Sequence, residues 1–206
     1  MKDDSLAKLG GICSILVGVS YVLVGVTYLM QPADLQVGAD PSLFWPTLAQ
    51  NPTMNTLNHW AAALGAVLAL AVVPAISQVV RPHSEGWVRW TSSLAFIGFA
   101  VTAIENFRVL AVYPTQVAAY VAGNASVQAA ITASRPLIYL DPQAWLQFGA
   151  IGVWVLVVNL LAHRTGTWAK GLAYVGIASA ILYWLVVAGS IPRPSCAGAP
   201  ASSVTV

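Results

Sequence analysis

LGGICSILVGVSYVLVGVTYLM, residues 9–30, runs for 22 positions without one Asp, Glu, Lys or Arg. A bilayer core of about 30 Å needs about 20 apolar residues in helical form. The stretch therefore reads as a membrane-spanning helix. Four more stretches satisfy the same test, at about 57–80, 88–112, 144–162 and 168–191. Pro74, inside the second, should kink it, because proline removes one backbone hydrogen bond. The expected fold is all-α: a polytopic membrane bundle of five transmembrane helices, with short helices in the outer loops. Residues 1–191 form its single five-helix domain, and the Pro-, Ser- and Ala-rich tail over 192–206 is expected to be disordered.

Composition supports that reading. Of 206 residues, 58% are hydrophobic and 8% charged, with a mean hydropathy of +0.73. Soluble domains carry roughly 25% charged residues. So few charges cannot cover a soluble globule of this length, which excludes a soluble enzyme and a disordered chain. The net charge of +2 implies no nucleic-acid or other polyanionic partner. Cys13 and Cys196 fall on opposite sides of the bilayer in this topology, so they form no intramolecular disulfide. No CxxC occurs, which removes thiol exchange and thiolate metal sites. The mixed-charge start, with no small-x-small cleavage site after the apolar run, reads as a retained first helix and not a cleaved signal peptide.

Basic residues orient the helices. Lys2, Lys8, Arg81, Arg89, Arg164 and Lys170 occupy the N-terminus and the two short connections, whereas Arg108, Arg135 and Arg193 fall on the other side. The expected location is a bacterial inner membrane, with the N-terminus cytoplasmic and the C-terminus outside. The outer connections, about 31–56 and 114–143, are long enough to carry function. The first holds Leu43, Phe44 and Trp45 among prolines, an apolar cluster expected in the interface or packed over the bundle. The second reads as two short helices over Thr115–Ser134, broken at Gly123-Asn124 and closed by Arg135-Pro136.

Candidate chemistry gathers near the outer ends. Glu105 is expected to lie about 12 Å inside the end of the third helix. An ionisable group at such depth is costly unless paired or hydrated. Arg108, at i+3, shares its face and is expected to neutralise it. Their pair reads in two ways, as a clamp between helices or as part of a site. His59, beside Asn55 and Asn58, starts the second helix; Gln143 and Gln147 share a face at the start of the fourth. Asp141, before Pro142, reads as a cap for that helix. Neighbouring antiparallel helices would gather Glu105, Arg108, His59 and Gln147 around one outward-opening cavity. A carboxylate beside an imidazole can perform acid–base work on a lipophilic substrate, and an arginine can hold a carboxylate or phosphate. Catalytic roles are therefore assigned to Glu105 and His59. Arg108, Asn106, Tyr113, Gln147 and Trp45 are expected to bind substrate, with Phe44 and Trp45 as an apolar lid.

The first helix carries a second pattern. Gly11, Gly18 and Gly25 recur every seven residues, and Ser14, Tyr21 and Tyr28 follow three positions later. A small-residue seam of this kind permits close helix packing, within the fold or between protomers. Six tryptophans, Trp45, Trp60, Trp87, Trp90, Trp145 and Trp168, fall near span ends and suit interfacial belts. No HExxH, phosphate loop or aspartate-rich cluster is present, so neither metal nor cofactor is implied. No internal repeat marks a transporter core.

Two functions follow as expectations. The first is an integral membrane protein that binds a lipophilic small molecule, and converts it by acid–base chemistry of the isomerase, cyclase or hydrolase type. The alternative is a non-catalytic accessory subunit of a larger membrane complex. Partners are membrane lipid and that small molecule, together with further copies of the chain or the larger complex.

Overall fold

The computed structural model describes residues 3–36 and 39–190. The expected disordered tail, with Arg193 and Cys196, lies outside them. Seven α-helices are present among the described residues: α1 (Asp3–Met30), α2 (Pro41–Gln50), α3 (Pro52–Val80), α4 (Glu85–Ala122), α5 (Ala125–Ser134), α6 (Ile151–Thr165) and α7 (Lys170–Ser190). A π-helical turn, Trp145–Ala150, runs directly into α6. Five helical segments are long and apolar enough to cross a membrane: α1, α3, α4, the π turn with α6, and α7. The expected bundle is present.

The main packing follows chain order: α1 lies along α3, α3 along α4, α4 along the fourth span, and α6 along α7. Successive spans alternate in direction, so the molecule has two unlike ends. One carries the tight connections with Arg81, Arg89, Arg164 and Lys170, and is called the basic end here. The other carries α2 and α5 and is called the loop-rich end.

Small residues set the helix spacing. Along α1 the packed positions are Gly10, Cys13, Val17, Ser20, Val24 and Thr27, alternating three and four apart as in a supercoiled pair. Gly10 packs on Ala75 of α3, and a Cβ built on Gly65 would meet Ser20 at 3.0 Å. The Gly11, Gly18 and Gly25 seam is the other side of α1. Nothing lies within 4 Å of a Cβ placed at any of the three, so the seam packs nothing within the described chain.

The mid-bundle core joins α3, α4 and α6 through Val73, Ala95, Phe99, Ile151 and Trp154. Phe99 and Trp154 meet edge to face at 6.4 Å. A second core lies under the loop-rich end, where Phe44, Trp45 and Leu48 of α2 pack on Val109 and Tyr113 of α4 and on Ile131 and Ile138. The apolar cluster of the first long connection thus packs over the bundle, and Trp45, fully buried, is no interfacial belt residue. Asp40 caps α2, accepting from Ser42 N at 2.9 Å. That bond holds its carboxyl below the usual carboxylate range.

The third span corrects the sequence reading. Helix α4 does not stop at Tyr113-Pro114 but continues to Ala122, 38 residues in all. At 1.5 Å per residue it is about 57 Å long, far more than a bilayer core. The first of the two expected short helices is its continuation. The break at Gly123-Asn124 is present, and the Asn124 side chain caps α5 by accepting from Val127 N at 3.1 Å.

Candidate functional site

Glu105 and Asn106 point from α4 toward different partners. Glu105 faces the start of the fourth span and is only 3% exposed. Its carboxylate accepts from the backbone N–H of Asp141 and from the side-chain amide of Gln147, with a further bond from the N–H of Leu140. Asp141 in turn caps the span. Its carboxylate accepts from Trp145 N at 3.0 Å, Leu146 N at 2.6 Å and Gln147 N at 2.9 Å, which satisfies N–H groups that a helix start leaves without partners.

Local backbone geometry follows from this clasp. Ala144 sits at φ 60°, in the left-handed region, where a side chain costs about 1–2 kcal/mol. Its carbonyl then accepts from both Phe148 N (2.9 Å) and Gly149 N (3.3 Å), the second being the i→i+5 bond of a π turn. Gly98 lets α4 come this close: a Cβ there would meet Leu146 O at 2.6 Å and Ile151 Cγ1 at 2.7 Å.

The expected Glu105–Arg108 pair is absent. The ion pairs among the described residues are Arg81–Glu85 and Arg89–Glu85, and Arg108 is exposed. The Glu105 carboxylate is held instead by N–H donors from a segment 35 or more residues later, which occupy the place expected for an i+3 cation. Nor does any hydrogen bond join Glu105 to His59. Among the described residues His59 lines a cavity that Glu105, Arg108 and Gln147 do not share.

Asn106 faces α3. Its Nδ2 donates to Thr102 O at 2.7 Å, which leaves Oδ1 to accept. His59 Nδ1 lies 2.7 Å from that oxygen and therefore carries the proton. In the neutral ring Nε2 keeps a lone pair, and no partner for it is present among the described residues. His59 is not the start of its helix, since α3 begins at Pro52; it sits seven residues in, about 10 Å along the axis.

A cavity of about 250 Å³ opens beside this imidazole. Its walls come from α3 (Asn55, His59, Trp60) and α4 (Val109, Leu110, Tyr113), and the end of α2 closes it with Leu48 and Ala49. Tyr113 is thus placed where a ligand would touch it. Glu105, Arg108, Gln147 and Trp45 do not line the cavity, and Asn106 acts behind His59.

Tyr113 is held from several sides. Its ring meets His59 edge to face at 5.9 Å, Trp45 at 5.4 Å and Phe44 at 5.7 Å. Its hydroxyl lies 2.7 Å from that of Tyr139 and hydrogen-bonds Arg135. The Arg135 guanidinium stands 3.5 Å over the Phe44 ring, a cation–π contact. Arg135, Tyr139 and Leu48 are supporting residues that the sequence reading did not assign to the site. Their signal was weak: in the sequence Arg135 stands out only as the close of the second outer connection with Pro136, where the structure has a 3₁₀ turn.

Among the described residues no group of three or more His, Cys, Asp or Glu side chains comes together to hold a metal. No curated protein and no solved structure matches the chain. Residues 12–205, nearly all of it, match one family described as a domain of unknown function, and the protein accordingly belongs to the DUF4386 family.

Proposed function

We propose that the chain is a membrane receptor for a lipophilic small molecule bearing a hydroxyl or other hydrogen-bond donor, held in the cleft between α3 and α4. The observation that carries this is Nε2 of His59, without a partner among the described residues, on a ring oriented by Asn106 beside a mostly apolar cavity that Asn55 and Thr56 also line. A volume of about 250 Å³ is at or below the low end of small-molecule sites. It suits one segment of a ligand whose remainder lies in the bilayer. The imidazole accepts the donor, Tyr113 and Trp60 flank the apolar body, and α2 covers the end. Base catalysis by His59 is compatible with this geometry, with Glu105 outside the reaction as the residue that anchors the fourth span.

The test is organic extraction of the purified full-length protein, followed by mass spectrometry. A defined lipophile should be recovered from the wild type and fall at least about fivefold in His59→Leu, the loss of roughly one hydrogen bond. Equal recovery from both proteins, or none from either, overturns the reading.

The accessory-subunit reading draws on a separate observation, the open Gly11, Gly18 and Gly25 seam on α1. If a partner helix packs there, Gly18→Leu should abolish a larger assembly in mild detergent. A wild type that already runs as a monomer removes this reading.

The same proposal places the basic end in the cytoplasm of a bacterium, on the support of Arg81, Arg89, Arg164 and Lys170 at that end. Cys13 is buried and cannot report topology. In a cysteine-free background, Leu137→Cys should react with an impermeant reagent in whole cells and His83→Cys should not; the reverse pattern inverts the orientation.

A further inference from the structure

At the basic end, a cavity of about 580 Å³ lies between α1, α3 and α4. Its inner wall is apolar, from Leu6, Pro74, Val88 and Phe96, and its mouth carries Arg81 and Arg89. Serines lie between, but their protons are committed. Ser92 Oγ donates to Val88 O at 2.6 Å and Ser93 Oγ to Arg89 O at 3.1 Å. Ser77 lies 2.6 Å from Ser92 Oγ, so with Ser92 donating elsewhere it is Ser77 that donates. With the serine protons committed, the guanidinium N–H groups of Arg81 and Arg89 are the charged donors at the mouth.

Both guanidinia pair with one oxygen, Oε1 of Glu85: Arg81 by a hydrogen bond and Arg89 as an ion pair through Nη2 at 3.0 Å. One carboxylate against two arginines leaves a net positive charge, and each guanidinium has five N–H donors. All three side chains are about half exposed or more, so the remaining donors are accessible. Two planar forks held side by side match a phosphate. The apolar wall directly beneath matches an acyl chain.

We propose that this cavity binds an anionic phospholipid, with its phosphate on Arg81 and Arg89 and an acyl chain along Leu6 and Phe96. Glu85 plays a double part there. It spaces the two arginines, and it competes with the phosphate for them. Basic pockets between membrane helices near the interface recognise anionic headgroups on the same principle.

The experiment is native mass spectrometry of the full-length protein in neutral detergent. It is titrated with phosphatidylglycerol, with phosphatidylcholine of the same acyl chains, and with inorganic phosphate. Phosphatidylglycerol should bind at least tenfold more tightly than phosphatidylcholine, and inorganic phosphate should not displace it. Near a membrane surface each arginine contributes about fivefold in affinity, so Arg89→Gln should weaken binding about fivefold and Arg81→Gln/Arg89→Gln about thirtyfold. Glu85→Gln breaks the same ion pairs yet should strengthen binding, because it releases both guanidinia. Equal affinity for the two lipids, displacement by inorganic phosphate, or weakening in Glu85→Gln would each overturn the proposal.

Discussion

Glu105 and Asn106 are adjacent on α4, both polar and at nearly the same depth, yet they serve opposite kinds of structure. On the Glu105 side the carboxylate holds Asp141 and Gln147, and Asp141 holds the first turn of the fourth span. On the Asn106 side the network ends with a spare acceptor, Nε2 of His59, beside a cavity. One step along a helix turns a side chain by about 100°, and the neighbour it then meets decides its role. Depth in the membrane alone does not distinguish a clasp from a site. What distinguishes them is whether the hydrogen-bond network closes on itself.

The largest effect should come from breaking the closed side. Glu105→Ala leaves the N–H groups of Asp141 and Leu140 and the Gln147 amide without their acceptor, a cost of about 3–5 kcal/mol. Thermal denaturation in detergent should show a marked fall in midpoint, and adding Arg108→Gln should change the loss only additively. A rescue by Arg108→Gln would restore the ion pair that the structure lacks. Gly98→Ala should come next. It pushes a methyl against Leu146 O and Ile151, overpacking worth about 1–3 kcal/mol, and it should destabilise without changing ligand recovery. The smallest stability effect belongs to the open side: His59→Leu removes one hydrogen bond at a part-buried position, about 1 kcal/mol. If it proved as damaging as Glu105→Ala, the imidazole would be a structural group and the contrast between the two sides would collapse.

The five spans were legible because each is a local property, a run of apolar residues long enough to cross. The Asp141 cap was legible for the same reason, since it bonds residues four to six positions ahead. Arg108 misled because i+3 spacing shows what can meet, and cannot show that Gln147 and the Asp141 N–H arrive first from another helix. Pro114 misled because proline removes one helix bond without ending a helix that neighbours hold: Tyr113, just before it, is wedged among Phe44, Trp45 and His59. The seam on α1 was visible as a repeat, but the repeat does not say which side of the helix the chain's own α3 takes. Gly10 and Ser20 won that side because they sit in register with Ala75 and Gly65 of α3.

The hydroxyls of α1 bear on how such a protein is made. A chain enters the membrane from its N-terminus onward, so α1 meets lipid before α3 has been synthesised. In that interval its polar side chains have no partner helix. Ser14 bonds Gly10 O at 2.7 Å, Ser20 bonds Leu16 O at 2.9 Å and Thr27 bonds Leu23 O at 2.7 Å; each hydrogen is satisfied by the helix's own backbone. A hydroxyl that has given away its proton still has lone pairs. When α3 arrives, Asn58 donates to Thr27 Oγ1 at 3.0 Å and to Val24 O at 2.8 Å. These three side chains thus need no partner helix when α1 is newly made, and Thr27 still offers the acceptor that Asn58 of α3 later uses.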